Sequence, residues 1–460
     1  MKAATLLGVC LLGFGFVPFA RAAPPTLADL AARVKALEAN AQALRQQAAD
    51  ALAAAQAAQA ELATLQEHER QAKREARLAA VANPAPPTQS SGIGIGNDFN
   101  PAIAVILNGY YAHHSMDPDT LQRAGFPVVG EGAPLPQGFS LGESEFSMAA
   151  NIDDKFYGQF TVTAESENGE DHLGVEEAYI DSTALPDGFG LRAGRFYSNI
   201  GYLNSHHAHT DFFSVRPLAY QALLGNQYGD DGVQATWVAP TSVFVQLGAE
   251  AFRGGNYPAS GAGNGGLGAH TAFVHLGGDV GTHNAWFAGL SALRAHARSG
   301  EDGFTGTDNI YIADATWKWS RHGNFKEGGL LLRGEYLVDK RDGRYEPDAA
   351  GDVIADDPVL AALAQPWTGT RRGAYLEGVY QFNRVWNAGY RYDRLWADAT
   401  GPYASVFDPS RNSVMLTWHN SEFSLLRLQV SRERPLPDET DNAVSLQYQV
   451  AIGAHGAHKF

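Results

Sequence analysis

Apolar and polar residues alternate one by one over most of the chain beyond Phe99. In residues 146–152 the even positions are apolar and their neighbours are polar or small, and similar alternation recurs in 156–165, 374–382, 386–393 and 426–431. A period of two places successive side chains on opposite faces of a strand. The pattern therefore predicts a β-sheet with one apolar face and one polar face.

Sixteen strands can be placed on this pattern, and their connections alternate between long and short. The predicted strands are 101–112, 139–152, 155–166, 173–183, 189–197, 231–239, 242–252, 268–280, 284–297, 308–320, 328–340, 372–382, 384–395, 412–420, 422–432 and 443–460. A soluble sandwich would turn its apolar face inward, whereas a membrane barrel would turn it outward to lipid. Long loops at one rim and short turns at the other favour the barrel. We therefore predict an all-β transmembrane barrel of about 16 antiparallel strands over residues 98–460.

Residues 24–80 have a different, helical period. Apolar residues fall at alternating steps of three and four, at Leu27, Leu30, Val34, Leu37, Ala41, Leu44, Ala48, Ala51, Ala55, Ala58, Leu62 and Leu65. Such a heptad seam predicts an α-helical coiled coil, with a single amphipathic helix lying on a surface as the alternative. The narrow seam favours oligomerisation. Residues 81–97, rich in Pro, Gly and Ser, predict a linker before the barrel.

Residues 1–22 have the features of a signal peptide. Lys2 supplies a positive charge, residues 5–19 are largely apolar, and Ala20-Arg21-Ala22 is an A-x-A cleavage pattern. Cys10, the only cysteine, lies within this segment. The mature chain is therefore expected to contain no disulfide.

Composition excludes several classes of function. The formal net charge of −16 argues against nucleic acid as a partner, since phosphate binding needs clustered Lys and Arg. Mean hydropathy is −0.23, which is too polar for a helical membrane protein. The sequence contains no G-x-x-x-x-G-K-[ST] and no H-E-x-x-H pattern. We expect a protein that is not an enzyme.

Three short segments resemble the phosphate-selective porin O and P family: LRAGRF at 191–196, IGY at 200–202 and GDDGVQ at 229–234. The resemblance implies a barrel in the bacterial outer membrane, in contact with its lipid, and a coiled coil in the periplasm. It further implies a homo-oligomer, a trimer, and a third long loop, at about 198–230, that folds inward to form a constriction. The implied function is passive diffusion of small hydrophilic solutes or ions.

Charged residues on the polar face of the strands are the candidates for lining the pore. They are Glu143, Glu145, Glu177, Arg195, Glu250, Asp314, Arg333, Glu335, Glu377, Arg391, Asp393 and Arg427. Acidic residues outnumber basic ones in this set. Such a lumen favours cations or neutral solutes over phosphate.

The stretch NSHHAHTDFF at 204–213 falls in the predicted constriction loop. Imidazole and carboxylate groups are ligands for Zn²⁺, so His206, His207, His209 and Asp211 form a candidate metal site. A hydrogen-bonded polar loop and a pH-dependent gate are the alternatives. We expect no permanent cofactor, with Zn²⁺ as a transported or transiently bound ion.

Two further functions fit the same pattern. One is an outer-membrane metal (zinc) uptake protein of the TonB-dependent receptor kind. The other is a structural protein: a barrel that does not conduct and that tethers the envelope through contacts of its coiled coil with peptidoglycan or a periplasmic partner.

Overall fold

The structure, a computed structural model, describes residues 101–167, 170–259, 266–298, 302–345, 366–398 and 403–453. The predicted signal peptide, coiled coil and linker lie outside these residues and stay predictions. In the described part of the chain, no helix is long and apolar enough to cross a membrane.

Seventeen strand segments follow one another along the described chain. They are β1 Ala102–His114, β2 Gly138–Leu141, β3 Ser144–Asn151, β4 Phe156–Glu167, β5 Glu170–Ser182, β6 Phe189–Tyr197, β7 Gly229–Val238, β8 Phe244–Phe252, β9 Ala269–Val280, β10 Asn284–Ala297, β11 Phe304–Ser320, β12 Gly329–Tyr345, β13 Trp367–Gln381, β14 Trp386–Trp396, β15 Ser410–Ser421, β16 Ser424–Arg434 and β17 Asp441–Gly453.

Antiparallel pairing closes this sheet into a barrel. β1 pairs with β17, from Ala104 opposite Gly453 to His114 opposite Ala443. β2 and β3 both pair with the other edge of β1, so they are two segments of one barrel strand. The described residues thus form a closed barrel of sixteen antiparallel strands. The predicted strand number is confirmed, and closure leaves no open sheet edge.

The outer face of the barrel is apolar. Leu290, Leu376 and Tyr390 are 62%, 63% and 49% exposed, and each alternates with a buried neighbour whose side chain points inward. Exposed aromatic side chains lie near the short turns at one rim, at Phe156, Phe189, Phe382, Trp386, Trp418 and Phe423. An apolar belt with an aromatic girdle is typical of a barrel that spans a membrane.

The two rims differ in the length of their connections. Residues 152–155, 239–243, 281–283 and 422–423 are among the connections at the short-turn rim, where β1 begins and β17 ends. The opposite, long-loop rim carries 115–137 and 198–228. Towards this rim β11, β12 and β13 extend further than predicted. Polar residues on the outward face of β12 there, Lys340 and Asp342, interrupt the alternation that the sequence pattern requires.

Two β-bulges place extra carboxylates inside the barrel. In β5, Thr161 pairs with Glu177 and Val162 with Val175, so Glu176 is an added residue. Between β2 and β3, the register with β1 shifts by one residue around Gly142 and Glu143. A bulge breaks strict alternation, and here it lets Glu176 and Glu177 both point inward.

The connection 198–228 folds into the barrel. It carries the short helix α1, Leu218–Leu223, whose residues are all buried. Apolar loop side chains pack against an apolar patch of the inner wall, at Ile200, Leu203, Leu218, Tyr220, Leu223, Leu293, Ile310, Ile312, Leu337 and Leu395. The inward face, polar elsewhere, is therefore apolar where the loop covers it.

Gly373 on the inner wall of β13 sets how closely α1 approaches. A Cβ at Gly373 would lie 2.7 Å from the Cβ of Ala219. We expect Gly373→Val to weaken loop docking by about 1–3 kcal/mol, because the added methyl groups overpack this contact. Hydrogen exchange of residues 198–228 in the folded protein should become faster.

The matched control is Gly378→Val in the same strand. Gly378 faces outward, and its nearest contact for a Cβ is the mobile end of Leu332 at 3.2 Å. Equal exchange in both variants would show that the α1 contact does not hold the loop.

Candidate constriction site

Three carboxylates of the inner wall hold the inward-folded loop at three points. Glu250 accepts a hydrogen bond from the backbone N–H of Asn199 at 2.9 Å. Asp393 accepts one from the N–H of Leu218, at the start of α1, at 3.0 Å. Loop backbone groups inside a barrel need such partners, since an unpaired buried N–H is costly.

Glu335 holds both the start of the loop and the helix α1. Its carboxylate accepts hydrogen bonds from the N–H groups of Tyr202 and Leu203, both at 3.1 Å. It also accepts from the hydroxyls of Tyr220 at 2.8 Å and Tyr375 at 2.7 Å. Four donors therefore converge on one carboxylate that is 3% exposed. This residue was predicted to line the pore, and the structure places it on the inner wall beneath the loop.

His207 and His209 meet wall carboxylates on the opposite side of the loop. Nδ1 of His207 lies 3.2 Å from Oε2 of Glu145 and 3.4 Å from Oε2 of Glu176. Nε2 of His207 lies 3.0 Å from Oε2 of Glu177. Nδ1 of His209 contacts Oε1 of Glu145. We call Glu145, Glu176, Glu177, His207 and His209 the histidine–carboxylate cluster.

The other two predicted metal ligands point elsewhere. Nδ1 of His206 bonds to the carbonyl of Tyr202 at 2.7 Å, and the two rings stack. Asp211 pairs with Arg216, with Oδ2 and Nε 3.2 Å apart. Extended backbone at His206 and His207 sends adjacent side chains to opposite sides, whereas the short 3₁₀ turn Ala208–Thr210 brings His209 beside His207.

Charge in the cluster determines the protonation of its loop histidine. Burial alone would lower the pKa of His207, but the negative charge of Glu145 and the contacts of the ring with Glu145, Glu176 and Glu177 raise it well above its ordinary value. His206, which has no carboxylate contact of this kind, has its pKa lowered by burial. The cluster therefore stabilises a positive charge at this position, which the protonated ring of His207 supplies in the absence of another cation.

The cluster lies between two cavities of the lumen. One, of about 710 Å³, is lined by His207 and Glu177 and extends towards the short-turn rim, where it reaches Phe244. The other, of about 510 Å³, is lined by His209 and Glu143 and extends towards the long loop 115–137. The segment 207–209 thus separates the two water-accessible spaces.

Arginines from β12 to β16 form another part of the inner wall. Arg333 pairs with Glu377 across the strands, with Nε and Oε1 2.9 Å apart, and Arg391 pairs with Asp393 at 3.1 Å. The inward-facing arginines of these strands that the sequence pattern missed are Arg341, Arg371 and Arg411, and Arg192 of β6 also faces inward. Most are paired with carboxylates. Arg427 instead bonds to neutral Thr417 and Gln447, at 3.2 and 2.8 Å.

Arg195 does not face the lumen. It pairs across the strands with Ala178 and Asp231, and Val233 on the same face as Asp231 is 56% exposed. Arg195 and Asp231 form an ion pair at 2.8 Å on the outer face, near the long-loop rim. The prediction that Arg195 lines the pore is wrong. In β6, Arg195 lies on the same outer face as the apolar residues Leu191 and Ala193.

The remaining predicted pore residues point into the barrel, where Glu143 is half-buried and the others are buried. They are Glu143, Glu145, Glu177, Glu250, Asp314, Arg333, Glu377, Arg391, Asp393 and Arg427. Glu176 was not predicted, because a bulge leaves no sign in a single sequence except two adjacent acids that break the alternation. Arg341 and Arg371 were missed because their strands run past the apolar belt.

One pattern of hydrolases is present, G-x-S-x-G at 138–142. In a nucleophile elbow the serine stands on a sharp turn from a strand into a helix. Ser140 instead lies within β2, paired directly with Tyr110 of β1. The pattern here is part of a barrel strand and its bulge.

Comparison with known proteins agrees with the architecture. No protein-family model matches the chain. An uncharacterized protein of Aquifex aeolicus (strain VF5) is 28% identical over 398 residues, which cover 79% of this chain and 80% of that protein. The anion-selective porin from Comamonas acidovorans matches with a TM-score of 0.50 and 10% identity, covering 77% of this chain and 99% of the porin.

A second solved structure, the outer membrane channel DcaP of Acinetobacter baumannii, also has a TM-score of 0.50, with 12% identity over 77% of this chain and 96% of that channel. At such low identity the likeness concerns the fold. This chain has the barrel fold of outer-membrane porins.

Removing the charge of Glu335 should loosen the loop. In Glu335→Gln an amide with only one acceptor oxygen faces four donors, so we expect the loop to open more easily by about 1–3 kcal/mol. Hydrogen exchange at residues 199–205 should accelerate accordingly.

Asp314→Asn provides the matched control. Asp314 lies directly opposite Glu335 in the strand register, and within the described residues neither of its side-chain oxygens has a hydrogen-bond partner. If hydrogen exchange of the loop also became faster in Asp314→Asn, the cause would be the loss of negative charge in the wall and not the loss of the contacts between Glu335 and the loop.

Proposed function

We propose that the protein is a channel of the bacterial outer membrane for passive diffusion of small hydrophilic solutes or ions. The observation that carries this proposal is the loop 198–228 inside the barrel, with residues 207–209 between two cavities that open towards opposite rims. The apolar belt and aromatic girdle support insertion in a membrane. The loop acts as the constriction.

The selectivity that we propose is for cations or neutral solutes. Most inward-facing arginines are neutralised by a carboxylate at hydrogen-bond distance, so their field is short-ranged. Around the constriction, by contrast, the basic side chains within ion-pair distance of Glu143, Glu145, Glu176 and Glu177 among the described residues are those of His207 and His209. An acidic constriction attracts cations. Membership of the phosphate-selective porin O and P family stays a prediction.

The wider assembly also stays a prediction. We propose a homotrimer whose N-terminal coiled coil lies in the periplasm, with peptidoglycan or a periplasmic protein as its contact. A TonB-dependent receptor is not favoured, because such transporters use 22 strands around a plugged lumen and this barrel has sixteen. A non-conducting tether is the alternative that the following experiment separates.

Single-channel recording of the refolded mature protein in a planar bilayer tests conduction and selectivity together. We expect open channels whose reversal potential in asymmetric KCl shows cation preference. Arg427→Gln should increase that preference, because it removes a lumen charge that no described carboxylate balances within ion-pair distance. Arg195→Gln should leave it unchanged, because Arg195 lies on the outer face.

Well-folded protein without conductance would contradict the channel and favour the tether. Anion preference in the parent protein would contradict the proposed selectivity alone. An equal shift in the Arg195 and Arg427 variants would contradict the assignment of inner and outer faces.

A further inference from the structure

The histidine–carboxylate cluster contains the donor set of a transition-metal site. Donor atoms of Glu145, His207 and His209 all lie within 4.8 Å of one another. Two imidazoles and one carboxylate are a ligand set that suits Zn²⁺ and its first-row neighbours. Zinc ligands lie about 2.0–2.2 Å from the ion, so small side-chain rotations would bring these three atoms to a common centre.

A fourth donor is positioned beside these three. The side chain of Glu176 is only 5% exposed, and its Oε2 lies 3.4 Å from Nδ1 of His207. This contact with His207 is an ion pair, and among the described residues no well-aligned hydrogen bond reaches this oxygen. A buried carboxylate oxygen without a well-formed hydrogen bond is costly, and coordination of a cation would reduce that cost. The β-bulge of β5 is what turns Glu176 inward.

Glu177 orients the histidine for such a role. It contacts Nε2 of His207 at 3.0 Å, which leaves Nδ1 facing Glu145 and Glu176. Metal-bound imidazoles commonly donate their other ring N–H to a carboxylate, which fixes the ring and strengthens the ligand. The cavity of about 510 Å³ at His209 and Glu143 provides access for an ion from the long-loop rim.

We propose that Glu145, His207, His209 and Glu176 bind one divalent cation of the zinc class at the constriction. Ligands come from two wall strands, β3 and β5, and from the loop, so a bound ion would cross-link the loop to the wall. The binding itself is independent of conduction. Only its effect on current rests on the proposed channel function.

Equilibrium dialysis of the full mature protein, folded in detergent and freed of metal with a chelator, measures Zn²⁺ bound per chain. We expect one saturable site, lost in His207→Gln/His209→Gln. Glu176→Gln preserves the size of the side chain and should raise the dissociation constant by about tenfold or more. The matched control is His206→Gln, which lies next to the cluster and should retain the site.

Each outcome decides the proposal. Absence of a saturable site in the parent protein would overturn it, as would equal binding by the parent and the Glu176 variant. If the double histidine variant fails to fold, the Glu176 and His206 variants still separate the cluster from the surface histidines. Co²⁺ in place of Zn²⁺ adds an absorption spectrum that reports nitrogen and oxygen ligands directly.

Channel recording with micromolar Zn²⁺ separates this inference from the proposed function. Conducting channels that bind no zinc would overturn the metal site and leave the channel intact. Stoichiometric zinc binding by a protein that does not conduct would support the site and overturn the channel.

Discussion

The carboxylate of Glu335, buried in the middle of the inner wall, is the contact on which the interior depends. A barrel of sixteen strands encloses more space than its own side chains fill. The chain narrows that space with a loop whose backbone donors must find partners away from bulk water. Glu335 accepts two of these N–H groups and two tyrosine hydroxyls, and so fixes the start of the loop and α1 to the same strand.

One side of the loop is held by apolar packing and the other by electrostatic contacts. On one side, α1 and Leu203 cover an apolar patch of the wall. Burial of this apolar surface stabilises the folded-in loop but does not fix its orientation, because the hydrophobic effect is non-directional. On the other side, His207 and His209 contact carboxylates of β3 and β5. These contacts fix the orientation of the loop and place charged groups at its surface. The loop is therefore held to the wall by its apolar side, and its polar side presents His207 and His209 between the two cavities.

The alternation of apolar and polar residues was sufficient to predict the barrel. Strand geometry sends successive side chains to opposite faces, and the membrane requires one of those faces to be apolar. The loop at about 198–230, which the family resemblance placed inside the barrel, does fold inward, and two of the four candidate metal ligands, His207 and His209, lie together in the histidine–carboxylate cluster. The sequence pattern could not show that Arg195 faces outward, since an ion pair with Asp231 makes an outer position look polar. Nor could it show Glu176, whose direction depends on a bulge, or the role of Glu250, Glu335 and Asp393, whose partners are distant in sequence.

The bulge in β5 has a consequence for how this barrel can change over time. Loss of one residue from a paired strand normally swaps the two faces for everything beyond it. Loss of Glu176 would not, because Val175 already pairs with Val162 and Glu177 with Thr161. A single-codon deletion at this position would remove a carboxylate from the lumen and leave both halves of the strand in phase. Descendants of this chain therefore have a route to altered ion chemistry that spares the lipid-facing surface.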